Sequence, residues 1–159
     1  MKAEPTPQHE WLKQLVGEWS YRSECPAGPD GEALTAEGKE HVRMLGDLWM
    51  VGESTGLMPG GGSMTAVMTV GYDPEKERFV GTWVGSPMTA MFVYEGTLDE
   101  GARELTLNTR GDDFNNPGTQ TDYQDILVLT DSGRELRSRM RTSEGEWVDI
   151  MKAAYTRTG

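Results

Sequence analysis

The hydrophobic pattern of the chain begins with a helical period close to the N-terminus. Thr6 is a suitable N-cap, Pro7 suits a first helical turn, and Gly17 is placed to end the element. Apolar residues between them recur at helical spacing, so that they share one face. These residues are Trp11, Leu12, Leu15 and Val16. The pattern predicts a short helix over about 7–16 that packs its apolar face on the rest of the protein.

Beyond Gly17 the period falls to two, which is typical of β-strands with one buried side. The predicted strands are 18–25, 33–44, 47–55, 64–72, 78–86, 88–98, 103–111, 119–130, 135–143 and 146–157. Turn sequences separate the strands, among them Pro26–Gly31 and Pro59–Gly62. Short connections between about ten successive strands favour an up-and-down meander, and closure removes its exposed edges. We therefore predict a mainly β protein, with one domain over 1–159 that forms a closed antiparallel up-and-down barrel with the helix at one end.

The alternation also predicts which side chains face the interior. Arg137, Arg139 and Arg141 share one side of their strand and should face solvent, so their neighbours should face inward. The same reasoning predicts an interior rich in methionine and aromatic residues, whereas the strand near 47–55 is ambiguous. The inward set includes Met68, Trp83, Met88, Ala90, Tyr94, Tyr123, Asp125, Ser138, Trp147 and Asp149.

Methionine and aromatic side chains suit an adaptable ligand pocket, and they equally suit a filled core. Both interpretations stay open on the sequence alone. If a pocket exists, its candidate ligand-binding residues are Met68, Trp83, Tyr94, Tyr123, Asp125, Ser138 and Asp149.

Two of these candidates are carboxylates, Asp125 and Asp149, on strands separated by one other strand. Two carboxylates that share a low-dielectric interior cannot both ionise cheaply, so the pKa of one should rise. Such a pair suits acid/base chemistry or a cationic ligand. Alternatively, a local bulge turns one of them outward, or nearby tyrosine, serine or arginine side chains satisfy each one singly.

Composition narrows the classes of partner. The chain of 159 residues has 15 basic and 26 acidic residues, a formal charge of −11, which disfavours nucleic acid and anionic membrane surfaces. The first residues lack the apolar run of a signal peptide, and no apolar stretch has membrane-spanning length. A single cysteine, Cys25, fits a reducing compartment. We expect a cytoplasmic protein.

Other motifs in the sequence do not indicate a catalytic or metal-binding site. Gly52–Gly56 matches a nucleophile-elbow pattern, but no histidine follows it to act as the base. His9 and His41 are predicted to be surface residues, and they do not form a metal site of recognised spacing. We therefore predict no catalytic residue, no metal and no cofactor.

The N-terminal segment His9–Trp19 resembles the H-x-x-L-x-x-L-x-G-x-W opening of DUF1579, a bacterial family of unknown function. Later segments resemble its other landmarks, namely Gly71-Tyr72-Asp73, Thr82-Trp83, Glu95-Gly96 and Tyr155-Thr156-Arg157. The start is also similar to calycins, which include lipocalins, fatty-acid-binding proteins and nitrobindin-like haem barrels. That resemblance implies a calycin-like barrel in which Trp19 packs at the closed end. Nitrobindin-like barrels ligate haem through a histidine near the C-terminus, and residues 146–157 contain none, so haem is not expected.

Three hypotheses follow for the function. The first, which we favour, is a non-enzymatic barrel that binds a small apolar or amphipathic molecule. The second is an acid/base enzyme, an isomerase or hydrolase, that uses Asp125 and Asp149. The third is a homodimeric structural or interaction module with a filled core.

Overall fold

The computed structural model describes residues 3–26, 33–58 and 61–159. It confirms the N-terminal helix as α1, Pro7–Leu12, continued by a 3-10 turn over Lys13–Leu15. Thr6 is the N-cap, and its hydroxyl accepts a hydrogen bond from the backbone N–H of His9. Gly17 does not cap the helix but begins the first strand, and Val16 is exposed.

The position of His9 corrects the prediction of a surface histidine. Its side chain is only 4% exposed, and its ring Nδ1 accepts a hydrogen bond from the backbone N–H of Thr6 at 2.9 Å. The ring also packs edge-on against Tyr72, with the centroids 5.9 Å apart. His9 is buried because it completes the helix cap and joins the helix to the barrel wall.

The remaining described residues form ten strands in one closed antiparallel barrel, as predicted. Each strand pairs with its neighbours in sequence, and β1 pairs with β10 to close the sheet. The strands are β1 Gly17–Cys25, β2 Leu34–Leu45, β3 Trp49–Leu57, β4 Ser63–Asp73, β5 Arg78–Gly85, β6 Phe92–Leu98, β7 Glu104–Asp112, β8 Gln120–Thr130, β9 Gly133–Arg141 and β10 Trp147–Arg157. The predicted turns Pro26–Gly31 and Pro59–Gly62 lie mostly outside the described residues.

The helix closes one end of the barrel. Leu12 and Leu15 are fully buried beneath it, and the indole N–H of Trp11 donates to the carbonyl of Ala102 at 2.7 Å. The Trp11 ring also meets Phe79 edge-on. These contacts bury the apolar face of a helix that is too short to be stable alone. The β5–β6, β7–β8 and β9–β10 connections lie at the opposite end, which the helix does not cover.

Strand alternation sorts the barrel side chains largely as predicted. On β9, Arg137 and Arg141 are exposed and Arg139 is half-buried on the same outer side, whereas Met140 is buried. The ambiguous strand, β3, directs Met50 inward. The largest boundary error is at β6, because the strand predicted from residue 88 begins at Phe92. Met88 and Ala90 therefore lie in the connection before β6 and are exposed.

A β-bulge in β10 overturns the predicted orientation of Trp147 and Asp149. Asp149 pairs with Arg139, but Met151 pairs with Ser138, so one extra residue, Ile150, is inserted between them. The insertion reverses the alternation for the start of the strand. Trp147 consequently lies on the outer side, under the guanidinium groups of Arg139 and Arg141, at 5.2 and 5.9 Å. Asp149 is exposed.

Candidate functional site

The barrel interior contains a chamber of about 210 Å³ toward the end that the helix leaves uncovered. We call it the Asp125 chamber. Its walls come from β4 to β10 and are mostly apolar or aromatic. The lining residues are Met68, Trp83, Met88, Phe92, Tyr94, Thr109, Phe114, Tyr123, Asp125, Leu136, Ser138, Ile150 and Met151. Because Met88 and Phe114 are exposed members of connecting loops, the chamber reaches solvent between them.

Aromatic side chains form a continuous row along the chamber wall. Trp83 meets Phe92 edge-on at 5.9 Å, Phe92 meets Tyr123 at 6.2 Å, and Tyr123 meets Phe114 at 5.9 Å. Edge-to-face contacts of this kind stabilise each ring in its position. The hydroxyl of Tyr123 donates to the carbonyl of Asp112 at 2.5 Å, so its ring, not its hydroxyl, is presented to the chamber. The row provides a rigid apolar surface.

A polar cluster lies on the inner wall of the same chamber. The Oγ of Ser138 donates to Oδ1 of Asp125 at 2.6 Å, and the hydroxyl of Tyr94 donates to Oδ2. Ser138 reaches Asp125 because the two residues are direct cross-strand partners on β9 and β8. Each carboxylate oxygen therefore already accepts one hydrogen bond from the protein.

Burial sets the protonation behaviour of this cluster. Burial raises the pKa of the Asp125 carboxyl, while the hydrogen bonds from Ser138 and Tyr94 act in the opposite direction. Burial and the nearby Asp125 also raise the pKa of the Tyr94 hydroxyl. Tyr94 thus remains a hydrogen-bond donor to Asp125 throughout the physiological pH range.

This raised pKa predicts a pH dependence of stability that belongs to Asp125. Between the ordinary pKa of 3.8 and the higher folded value, the native state binds more protons than the unfolded chain. The stabilising contribution of Asp125 is therefore complete below the ordinary value and is lost as the pH rises through the folded value. We expect Asp125→Asn to become more stable relative to the wild type as the pH rises above the ordinary value of 3.8, in urea unfolding.

The exposed Asp149 provides the control for that prediction. Asp149→Asn removes a carboxylate from the outer surface, so measuring it beside Asp125→Asn separates the effect of burial from that of a lost charge. A constant stability difference between Asp125→Asn and the wild type would contradict the assignment.

Thr109 adds a polar group that the sequence reasoning missed. Its Oγ1 is buried, lines the Asp125 chamber and has no hydrogen-bond partner among the described residues. It lies on β7, where its direct partner is Tyr123 of β8, two residues from Asp125. A buried hydroxyl without a partner costs free energy, so it favours a ligand or water that can bond to it. Leu105 and Leu107 lie on the inward side of β7, and Thr109 shares that side by alternation, so the sequence pattern does indicate an inward position for it.

A second cavity, of about 180 Å³, lies beside the first and is called the Glu40 chamber here. Four side chains line both chambers and form the partition between them. They are Met68, Trp83, Leu136 and Met151. Two of the four are methionines, whose flexible side chains can rearrange at low cost.

Glu40 belongs to a buried ion pair that the sequence reasoning also missed. The guanidinium of Arg134, which is 4% exposed, donates to Oε1 of Glu40. The guanidinium is stacked between the rings of Trp19 and Tyr155, at 4.6 and 3.9 Å from their centroids. Arg134 directly precedes the predicted strand 135–143, where its parity with Leu136 would have indicated an inward position.

Six of the seven predicted ligand-binding residues line the Asp125 chamber, and the seventh does not. The six are Met68, Trp83, Tyr94, Tyr123, Asp125 and Ser138. Asp149 lies on the outer side and does not approach Asp125, which is the alternative in which a local bulge turns one carboxylate outward. Within residues 3–26, 33–58 and 61–159, no three or more histidine, cysteine or acidic side chains are arranged to hold a metal ion. None of the described helices has the length and apolar character that a membrane span requires.

Comparison with known proteins identifies a fold relative and a family. No protein with a curated description matches the chain. The crystal structure of Rv2717c from M. tuberculosis is similar, with a TM-score of 0.65 and 13% sequence identity. The alignment covers 98% of this chain and 100% of that one, and at this identity the likeness concerns the fold alone. The model of the DUF1579 family, described as proteins of unknown function, matches residues 4–157. The chain therefore belongs to the DUF1579 family, as the segment His9–Trp19 predicts.

Proposed function

We propose that the protein binds a small, mostly apolar molecule in the Asp125 chamber. The observation that carries this proposal is a chamber of about 210 Å³ inside the barrel, with apolar walls and one polar cluster. An apolar cavity of about 150 Å³ is large enough to bind benzene. The Asp125 chamber therefore suits a molecule with one ring and a short polar substituent.

The partition between the chambers supports binding of somewhat longer molecules as well. Rotation of Met68 and Met151 about their flexible side-chain bonds would join the Asp125 chamber to the Glu40 chamber. A ligand could then extend from the mouth near Phe114 toward Glu40. The interior in this proposal is adaptable in length and restricted in width by the aromatic row.

The geometry favours binding over the acid/base enzyme that the sequence allowed. That mechanism needs two carboxylates in one site, and among the described residues that line the chamber Asp125 is the only carboxylate. Both oxygens of Asp125 are held by protein donors, which suits an anchoring role for a ligand group. We also propose the cytoplasm as its location, which the free thiol of Cys25 supports.

The homodimer stays a prediction. The outer faces of β5 and β6 carry two exposed apolar side chains, Val84 and Val93, that a dimer would cover. Light scattering on the purified protein measures this directly, and its outcome is independent of ligand binding.

Titration of the isotopically labelled protein with benzyl alcohol, followed by NMR, tests the proposed function. We expect saturable shifts of the backbone amides of Tyr94, Asp125 and Ser138, with a dissociation constant of about 0.1–1 mM, or a binding free energy of about 4–5.5 kcal/mol. Glycerol, which has no apolar part, is the control compound and should give no saturable shifts. Absence of saturable shifts with benzyl alcohol up to its solubility limit would refute the proposal.

A further inference from the structure

We propose that the Asp125 chamber selects ligands whose polar end donates hydrogen bonds, such as a primary amine or an alcohol, and disfavours carboxylates. This inference rests on the proposed function and adds the chemical class of the ligand. It follows from the donors and acceptors left over in the polar cluster, from the charges in the two chambers, and from the charge of the whole protein.

The hydroxyl protons of Ser138 and Tyr94 are both committed to Asp125. Each hydroxyl oxygen keeps lone pairs that can accept, and each carboxylate oxygen can accept a further bond. When Asp125 is ionised, the cluster therefore offers a ligand acceptors only. A ligand group with N–H or O–H donors satisfies them, whereas a ligand carboxylate brings more acceptors to a place that has no donor to spare.

Thr109 contributes the one uncommitted hydroxyl of the described chamber wall. It can donate a single neutral hydrogen bond or accept one. An alcohol uses both capacities, because it can donate to Asp125 and accept from Thr109. One neutral donor does not offset the repulsion between a ligand carboxylate and a negatively charged Asp125 in a low-dielectric site.

The charged side chains around the chamber also disfavour a carboxylate ligand. Among the described residues that line the Asp125 chamber, none is lysine, arginine or histidine, and the acidic one is Asp125. The adjoining chamber contributes a second carboxylate, Glu40. Glu40 is paired with Arg134, which is stacked between two aromatic rings and does not line the Asp125 chamber, so this pair adds no net charge.

The net charge of the protein acts on ligands before they enter. With 26 acidic and 15 basic residues, the chain has a formal charge of −11. A field of this sign raises the local concentration of cations and lowers that of anions at the surface. Binding of an amine is thus favoured at the approach as well as at Asp125, and the contribution from the approach should weaken as salt is added.

Three probes with the same ring test the selectivity by NMR titration at pH 7: benzylamine, benzyl alcohol and benzoate. We expect wild-type protein to bind benzylamine and benzyl alcohol at least tenfold more tightly than benzoate. In Asp125→Asn the ratio of the benzoate dissociation constant to the benzylamine dissociation constant should fall at least fivefold. Asp149→Asn, which removes an equal charge from the outer surface, is the matched control and should keep the wild-type order. Circular dichroism verifies the fold, and Asp125→Thr replaces Asp125→Asn if that variant does not fold.

The outcomes separate this inference from the proposed function. If none of the three probes binds, the proposed function itself is wrong. If all three bind with similar affinity, or if benzoate binds most tightly, the chamber binds small molecules but the donor selectivity is overturned. If Asp149→Asn weakens the selectivity as much as Asp125→Asn does, the selectivity comes from overall charge, and the role assigned to Asp125 is wrong.

Discussion

Replacement of Arg134 by methionine should lower the free energy of unfolding by about 3–5 kcal/mol, because it leaves the Glu40 carboxylate, whose side chain is 12% exposed, without its partner inside the barrel. The variant also loses the stacking of the guanidinium on the rings of Trp19 and Tyr155, whose centroids lie 4.6 and 3.9 Å from it. Methionine has a similar volume, so a cavity is not the main cause of the loss. Urea unfolding followed by tryptophan fluorescence measures the effect.

Two further variants give this experiment its controls. The double variant Arg134→Met with Glu40→Gln should recover a large part of the loss, since no uncompensated charge then remains inside the barrel. Arg137→Met, at an exposed position of the same strand, should change stability by no more than about 0.5 kcal/mol. If Arg134→Met lowers the free energy of unfolding by less than about 1 kcal/mol, the ion pair does not contribute to stability as expected.

Replacement of Thr109 by phenylalanine should weaken ligand binding while leaving the barrel folded. The new ring occupies the Asp125 chamber and removes a buried hydroxyl that has no partner among the described residues. A ligand would have to displace or compress this ring, and overpacking of this kind costs about 1–3 kcal/mol. The affinity for benzyl alcohol should therefore fall by at least about tenfold, which corresponds to about 1.4 kcal/mol. Calorimetric titration measures it.

Thr106→Phe is the matched control on the same strand. Leu105, Leu107 and Thr109 face inward on β7, so Thr106 faces outward by alternation. The same substitution there should leave the affinity unchanged. Equal loss of affinity in both variants would show that binding does not take place in the Asp125 chamber.

Much of this fold could be predicted from the alternation of side chains alone. Arginines that alternate along β9 cannot all be buried, so their position assigned the inward side of that strand and, by analogy, of the others. The N-terminal helix is equally predictable from the sequence, because Thr6 and Pro7 are strong signals for a helix start. Local propensity and the hydrophobic pattern agree in these elements.

The sequence allows a bulge that turns one carboxylate outward, but it does not place that bulge in β10, because the residues around it carry no alternation. Trp147, Val148, Ile150 and Met151 are all apolar, so either side of the strand fits an interior position. The inserted residue, Ile150, then decides the orientation of Asp149 through backbone pairing with β9. Pairing across strands is a tertiary property that the local pattern does not express.

The buried ion pair was missed for a different reason. Charged residues are almost always exposed unless they are paired, so Glu40 and Arg134 were not placed in the core. Their burial depends on partners 94 positions apart in sequence. Whether the interior is filled or keeps a chamber was also undecided, because the same residue types line both. The difference lies in the volume that remains between Met68, Trp83 and Leu136 after packing.

Diffraction from a crystal soaked in 4-bromobenzyl alcohol, collected at the bromine absorption edge, tests the binding proposal most directly. We expect an anomalous peak inside the Asp125 chamber, beside the rings of Trp83 and Tyr123, with the alcohol group directed toward Asp125. A peak found on the outer surface alone, or a chamber filled by its own side chains, would contradict the account.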